Sequence, residues 1–327
     1  MPKDKEDYRT DSLSTDTEDY GTDPLSTDIE DHLTPTDTYS ITYQIADIVI
    51  RLYSSFPLID SVNASTFYTE EEHIDFTLTF EKTEDYSEAI NDYEIIAEGL
   101  GENVLVSHGR EYRNFIYQNA TYAMTRMNGQ TACCYYQYED AVHDMMKRFR
   151  RPLSFCCLEQ LMLHYGRIIL HSSHINYKGD SIVISAPSGT GKSTHADLWE
   201  KYYGATVVNG DRSIIGRKRI SSEDFSGDYH AYGLPMCGSS NIFRNMEGRL
   251  KAIVVIRQSE DNHVERPNRM AAFRYILSET TQNSWNPAYM DQLMNLIEDL
   301  ISQVPVYVLY CNMDRSAADC LHDAIYS

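Results

Sequence analysis

The stretch Ser181–Thr194 reads SIVISAPSGTGKST and decides the fold of the C-terminal part of the chain. Its first five residues form a short β-branched run, which predicts a buried strand. The nine residues that follow the stretch, His195–Tyr203 (HADLWEKYY), predict a helix. A strand, a glycine-rich turn and a helix in this order form the context that a phosphate-binding loop requires.

The loop Ala186–Ser193 therefore predicts a site for a nucleoside triphosphate with magnesium. Gly189 and Gly191 permit backbone angles that point successive amides inward, and the start of the helix adds the positive end of its dipole. Lys192 supplies a compact charge for the β- and γ-phosphates, and the hydroxyl of Ser193 can bind Mg²⁺. The residues predicted to bind ATP are Ser188, Gly189, Thr190, Gly191, Lys192, Ser193 and Thr194.

The loop departs from the full pattern G-x-x-x-x-G-K-[ST] at one position. Ala186 stands where the pattern has its first glycine, which the loop tolerates if the local backbone angles suit alanine. The alternative is a glycine turn that occurs here by coincidence. The intact S-G-T-G-K-S-T core, between a strand and a helix, favours nucleotide binding over that alternative.

A second strand is predicted at Ala205–Asp211 (ATVVNGD), and it ends in an acidic residue. If the two strands run parallel in one sheet, their carboxyl ends meet at the same edge and Asp211 lies near the loop. A carboxylate there can bind magnesium or accept a proton from an attacking hydroxyl. We predict that Asp211 and Ser193 bind magnesium and that Asp211 is also catalytic; the alternative is an ordinary Asn-Gly-Asp turn.

The segment Leu170–Ile215 resembles the catalytic domain of HPr kinase/phosphorylase and its relative, phosphoenolpyruvate carboxykinase. LHSSHINYKGDSIVISAPSGTGKST and VVNGDRSII match the family's order of a histidine, the loop and an acidic pair. The resemblance implies acid–base or phosphate-orienting work for His171, with His174 as its rival. A histidine packed at a strand edge is the alternative. Gly210 stands where the first acid of the pair is expected, which leaves Asp211 alone.

The resemblance implies an α/β P-loop domain of the HPr-kinase/phosphoenolpyruvate-carboxykinase type. The alternating pattern of residues 39–150 separately predicts that a β-rich N-terminal domain precedes it. The resemblance also implies a kinase that uses ATP and Mg²⁺ to phosphorylate a hydroxyl, on a serine of a protein or peptide or on a small metabolite. Lys192, Asp211 and His171 would be its catalytic residues.

Two other functions compete with a kinase. A non-catalytic or slowly hydrolysing nucleotide-binding regulatory protein is favoured by Gly210 in place of an acid. A decarboxylating carboxykinase ranks lower, because the basic and metal-binding residues that would surround a substrate carboxylate are not identifiable. The acceptor, the choice among ATP, GTP and pyrophosphate, and the formation of a homo-oligomer stay open.

Three segments are predicted along the chain: an acidic repeat tail at 1–38, a β-rich domain at 39–150 and the P-loop domain at 151–327. In the tail, DYRTDSLSTDTE at Asp7–Glu18 repeats as DYGTDPLSTDIE at Asp19–Glu30. Up to residue 37 the tail holds twelve acidic residues against three basic ones. Such a stretch lacks apolar surface to bury, so we expect disorder.

Period-two patterning in 39–150 predicts a mostly antiparallel sheet, with Ile45–Leu52 and His73–Phe80 among its strands. Pro152–Gly166 predicts one helix, because its apolar residues recur at a spacing of three to four. The segment Tyr232–Asn241, rich in Gly, Pro and Ser, can line a phosphate or substrate pocket, with Cys237 as a lining residue. Arg244 is a weaker candidate for a phosphate contact.

Composition narrows the class of partner. The formal net charge of −21 over 327 residues argues against nucleic acid and against an anionic membrane surface, both of which attract Lys- and Arg-rich proteins. No run of about 18 apolar residues is present, and no signal peptide is recognisable. The seven cysteines contain no Cys-x-x-Cys pair, so we expect buried free thiols and a cytoplasmic protein.

Overall fold

The computed structural model describes residues 38–86, 90, 92–99, 101–149, 152–236, 238 and 240–327. Within them the chain is mixed α/β and contains two eight-stranded sheets. All but the last residue of the predicted acidic tail lies outside the described residues. The two sheets occupy separate parts of the chain, one within 39–136 and the other within 167–311, and both belong to one compact unit.

The N-terminal sheet is built from strands rich in β-branched and aromatic residues. In chain order they are β1 (Tyr39–Ile45), β2 (Ile48–Ser54), β3 (Phe76–Lys82), β4 (Tyr93–Glu98), β5 (Glu102–Ser107), β6 (Arg110–Tyr117), β7 (Ala120–Asn128) and β8 (Thr131–Tyr136). The order across the sheet is β1-β2-β3-β8-β7-β6-β5-β4. The β2–β3 and β3–β8 pairs are parallel and the other pairs are antiparallel, so the prediction of a mostly antiparallel sheet is confirmed.

The single strand predicted at Ile45–Leu52 is wrong, because a tight hairpin turn divides it into β1 and β2. Ala46 and Asp47 form the turn with φ angles of 50° and 63°. The alternating pattern continues across the turn and hides it. Asp47 is held from outside the hairpin, since its carboxylate accepts hydrogen bonds from Lys218 Nζ at 2.9 Å and Tyr232 Oη at 2.8 Å.

The single helix predicted at Pro152–Gly166 is also divided. A 3₁₀ segment, Pro152–Cys156, is followed by Cys157 at a φ of 46° and then by helix α2, Leu158–His164. Helix α1, Glu139–Phe149, precedes them. Helical spacing of apolar residues persists through the break because the 3₁₀ segment and α2 pack into the same core as the N-terminal sheet.

The C-terminal sheet carries the loop. Its strands are β9 (Arg167–Tyr177), β10 (Asp180–Ser185), β11 (Thr206–Asn209), β12 (Arg212–Arg217), β13 (Tyr229–Tyr232), β14 (Glu247–Gln258), β15 (His263–Glu265) and β16 (Val306–Cys311). The order runs β10-β9-β12-β13-β14-β16-β15, with β11 beside β9 and with β10 also pairing β14 in parallel. The strands β10, β9, β12, β13 and β14 thus close a circuit of hydrogen-bonded pairs.

Helices cover both faces of this sheet. They are α3 (Lys192–Tyr203), α4 (Arg269–Glu279), α5 (Pro287–Gln303) and α6 (Arg315–Tyr326). Val183 of β10 packs in the core under α4 and α5, whereas Ile182 and Ile184 pack in the core under α3 and α6. The strand is therefore apolar on both faces, as its β-branched run predicts.

Among the described residues, no helix is long and apolar enough to cross a membrane. Six of the seven cysteines are described, and each of these is a free thiol. Four are buried and two are partly buried: Cys134, Cys156, Cys157 and Cys311 in the first group, Cys133 and Cys320 in the second.

Candidate active site

The glycine loop connects the end of β10 at Ser185 to the start of α3 at Lys192. Gly189 and Gly191 have φ angles of 78° and 113°, in the region that favours glycine. A Cβ at Gly191 would overlap Met313 Cε and would lie 3.0 Å from Met313 Sδ, so a glycine here also lets Met313 approach the loop. Gly191 caps α3 without a side chain, which leaves the first amides of the helix without a side-chain partner.

Ala186 occupies the first position of the loop without strain. It is 1% exposed and packs in the core between β10 and α3. Its φ is not positive. Alanine therefore fits where the full pattern has glycine, because the backbone here adopts angles that an L-residue accepts.

Lys192 folds back over its own loop. Its side chain is 7% exposed, and Nζ donates to the carbonyl oxygens of Ala186 at 2.7 Å and Pro187 at 3.4 Å. Burial lowers the pKa of Lys192, while the charges of Glu279 and Asp211 act in the opposite direction. The ammonium group is thus within electrostatic reach of two carboxylates as well as the loop.

Asp211 is placed by a turn between β11 and β12. Asn209 is fully buried, and its Oδ1 accepts hydrogen bonds from the amides of Asp211 at 2.9 Å and Arg212 at 3.0 Å. Asn209 Nδ2 donates to the carbonyl oxygens of Leu234 and Met236 at 3.2 Å and 2.9 Å. The Asn-Gly-Asp sequence therefore forms a side-chain-supported turn, and the same turn presents the Asp211 carboxylate.

The order of the strands explains why Asp211 lies close to the loop. Strands β10 and β11 both run antiparallel to β9, on its two opposite edges. They are consequently parallel to each other with β9 between them, and their carboxyl ends lie at one edge of the sheet. At this edge a cavity of about 340 Å³ opens between the start of α3 and the end of β11. Its lining residues are Ser193, Ala196, Asp197, Val207, Gly210, Asp211, Ser240 and Ile242.

His171 lies beside this cavity between two carboxylates. Its Nε2 is 3.8 Å from Asp211 Oδ1, and its Nδ1 is 3.1 Å from Glu279 Oε2. Each of the three side chains is partly exposed, at 31%, 30% and 15% respectively. His174, the rival, is fully buried with Nε2 at 2.8 Å from Ser181 Oγ, and burial lowers its pKa to about 3. Of the two histidines, His171 is the one at the site.

The segment Tyr232–Asn241 borders the site, and its Ser240 lines the cavity. A Cβ at Gly238 would lie 2.8 Å from Asp211 Oδ1, so the backbone of this segment passes close to the carboxylate. Cys237 lies outside the described residues. Arg244 contacts protein rather than open space: its Nη1 donates to the carbonyl oxygen of Val207, which holds the end of β11.

Gly210 stands where the sequence comparison led us to expect an acid, and the structure leaves no space there for a side chain. A Cβ at Gly210 would overlap Ser240 Oγ and would lie 2.8 Å from Ser240 Cβ. A carboxylate at this position has no space unless Ser240 moves. The site therefore has Asp211 alone at this turn, and Ser240 occupies the volume that a second side chain needs.

Two acidic residues at the site are missing from the sequence-based prediction. Asp197 lies one helical turn after Ser193 and lines the cavity, and burial followed by the charge of Glu200 raises its pKa. The i, i+4 spacing of Ser193 and Asp197 on a helix was a local signal for it. Glu279 comes from the end of α4, and no local pattern indicates its contact with His171.

The chain is similar to known proteins by structure and not by sequence. No protein-family model matches the chain, and no curated protein matches it. A solved structure of the HPr(Ser) kinase/phosphatase from Coxiella burnetii matches at 9% sequence identity and a TM-score of 0.26, covering 48% of this chain and 89% of that chain. A match at this TM-score and identity establishes neither a family nor an activity for this chain.

Proposed function

We propose that the chain binds a nucleoside triphosphate with Mg²⁺ at the loop Ala186–Ser193 and transfers the γ-phosphate to a hydroxyl group. The observation that carries this proposal is the cavity that has Ser193 on one wall and Asp211 on another, with His171 beside Asp211. ATP is the donor that we favour among the nucleotides. The protein would then be a phosphotransferase.

The residues present fit a triphosphate with its metal. Gly189 and Gly191 hold the loop in left-handed backbone angles, which aim amides toward an anion. Lys192 can exchange its hydrogen bonds to loop carbonyls for phosphate oxygens. Ser193 and Asp211 would hold Mg²⁺, which supplies charge neutralisation to the phosphates when bound. The described residues contain no group of three or more His, Cys, Asp or Glu side chains that could hold a metal ion. Phosphate oxygens and water would therefore complete the coordination of Mg²⁺.

The acceptor hydroxyl needs a group that takes its proton. As the acceptor oxygen bonds to the γ-phosphorus, the bond from that phosphorus to the leaving nucleoside diphosphate breaks, and the hydroxyl proton passes to the protein. Asp211 and His171 are the two candidates, since they lie together at the edge of the cavity. Arg212 also lies there, with Nε 3.5 Å from Asp211 Oδ2, and it opposes the negative charge of that carboxylate.

A nucleotide-binding regulatory protein that turns over slowly or not at all is the second candidate. Gly210 favours it, because the place of a second carboxylate is closed by Ser240. The two functions share the loop and differ in whether an acceptor is ever phosphorylated.

The first test is transfer of radiolabelled γ-phosphate with Mg²⁺, using cell extract, free serine and the protein itself as acceptors. We expect label on an acceptor with wild type, and its loss in Lys192→Ala and in Asp211→Asn. Glu298→Gln is the matched control, since that carboxylate is 60% exposed on α5. If nucleotide binds, no acceptor is labelled and Asp211→Asn behaves as wild type, the regulatory function replaces the kinase.

A further inference from the structure

Glu279 stands out because it is the least exposed carboxylate at the site and its partner is His171. Its side chain is 15% exposed, and Oε2 is 3.1 Å from His171 Nδ1. Because Glu279 carries only oxygen acceptors when ionised, a hydrogen bond at this distance requires that Nδ1 carries the proton.

The backbone around Glu279 is fixed by strand β9. Thr280 forms an isolated antiparallel bridge with Leu170, and the amide of Thr281 donates to the carbonyl oxygen of Ile169 at 2.9 Å. Thr280 Oγ1 also donates to the carbonyl oxygen of Ile276 at 2.7 Å and so terminates α4 at a defined position. Contacts with β9, the strand that carries His171, therefore fix the end of α4 and place Glu279 beside His171.

The two carboxylates lie on opposite sides of the imidazole, Glu279 at Nδ1 and Asp211 near Nε2. With Nδ1 bonded to Glu279, the lone pair of a neutral His171 is on Nε2, which faces Asp211. The Nε2–Oδ1 separation of 3.8 Å is longer than a hydrogen bond, so Nε2 is not engaged by Asp211. An acceptor hydroxyl between them can then donate its proton to Nε2.

We propose that Glu279 is a positioning residue that holds His171 with Nδ1 protonated and Nε2 turned toward Asp211 and the phosphate acceptor. This inference rests on the proposed phosphoryl transfer for its catalytic meaning. The logic is that of a base oriented by a third group, whose removal leaves the base in the wrong tautomer or the wrong rotamer.

The kinetic test compares Glu279→Gln, His171→Asn and the double variant. Glu279→Gln keeps the size of the side chain but its amide can donate to Nδ1, which favours the other tautomer. We expect kcat to fall about 10–100-fold with the nucleotide KM nearly unchanged, because orienting partners have effects of that size. Glu298→Gln is the matched control and should retain wild-type kcat.

The double variant separates positioning from an independent role. If Glu279 acts only through His171, the double variant is as slow as His171→Asn alone, because the second substitution has nothing left to disorient. Effects that multiply instead would overturn the inference. Thermal unfolding of each variant shows whether the fold is retained.

A measurement without turnover keeps the inference independent of the proposed function. Long-range ¹H–¹⁵N spectra of the histidine rings at alkaline pH report the tautomer, and His171→Asn assigns the signal. We expect the Nδ1-protonated pattern in wild type and its loss in Glu279→Gln. An Nε2-protonated ring in wild type would refute the inference even if the protein proves to be a kinase. Absence of transfer by wild type would refute the kinase and leave the tautomer result to decide the role of Glu279.

Discussion

Substitution of Gly210 tests how the site excludes a second acid. The φ angle of Gly210 is not positive, so alanine is acceptable to the backbone, and the effect of Gly210→Ala isolates the steric contact. The added Cβ would overlap Ser240 Oγ and would lie 2.8 Å from Ser240 Cβ. Because Ser240 Cβ is attached directly to the backbone, rotation of its side chain relieves only the overlap with Oγ.

The size of the effect follows from overpacking. A methyl group forced against a close neighbour costs about 1–3 kcal/mol of unfolding free energy. Ser240→Gly alone should cost about 0.4–1 kcal/mol by freeing the unfolded chain. In the double variant Gly210→Ala with Ser240→Gly, both close contacts disappear, so most of the steric loss should be recovered.

The assay is urea unfolding of wild type, both single variants and the double variant, with the four free energies combined as a cycle. We expect a coupling of about 1 kcal/mol or more in the direction of rescue. Additive effects, or a Gly210→Ala variant as stable as wild type, would refute the reasoning. If rescue occurs, Gly210→Asp with Ser240→Gly becomes the variant in which a restored carboxylate is tested for faster phosphoryl transfer.

Two further predictions concern stability. Asp75 is 5% exposed, and both its carboxylate oxygens accept hydrogen bonds from Arg219, at 2.7 and 2.8 Å. Asp75→Asn should therefore lower the free energy of unfolding, measured in urea, by about 3–5 kcal/mol. Asp228→Asn, at the exposed ion pair with Arg249, should lower it by less than about 1 kcal/mol. Burial lowers the pKa of His174 to about 3 and that of His195 to about 4, below the ordinary value of 6.5. The contribution of these neutral, buried histidines to the free energy of unfolding is complete above pH 6.5. It declines as the pH falls toward their folded-state pKa values. Melting temperature should drop in that window and drop less in His174→Gln; an equal drop would count against His174.

Local features of the chain were predictable because their causes are local. The β10 strand, the glycine loop and the start of α3 follow from a continuous run of residues, and the φ angles of Gly189 and Gly191 agree with their predicted use. The hairpin at Ala46–Asp47 was missed because alternation persists through it. Its turn residue Asp47 is held by Lys218 and Tyr232, which are 171 and 185 residues away in sequence.

Glu279 was missed by the sequence analysis for a different reason. In the sequence Glu279 is the last residue of a predicted helix, and nothing near it in sequence marks it as functional. Its position depends on the bridge of Thr280 with Leu170, a contact across more than 100 residues. Such a contact is decided by packing of α4 against the sheet, which composition and periodicity do not specify.

The site depends on the register of β9 more than on any single side chain. His171 pairs with Arg212 across the β9–β12 ladder, which places Asp211 next to His171. The amide of Ser172 donates a hydrogen bond to the carbonyl oxygen of Asp211 at 2.9 Å and so holds the same register. A shift of one residue would turn the apolar residues of β9 to the opposite faces, among them Ile168 and Ile169, which pack in different cores. Because that shift would expose or misplace buried apolar surface on both faces, core packing stabilises the register. The distance between His171 and Asp211 is thus set by hydrophobic packing elsewhere along the strand.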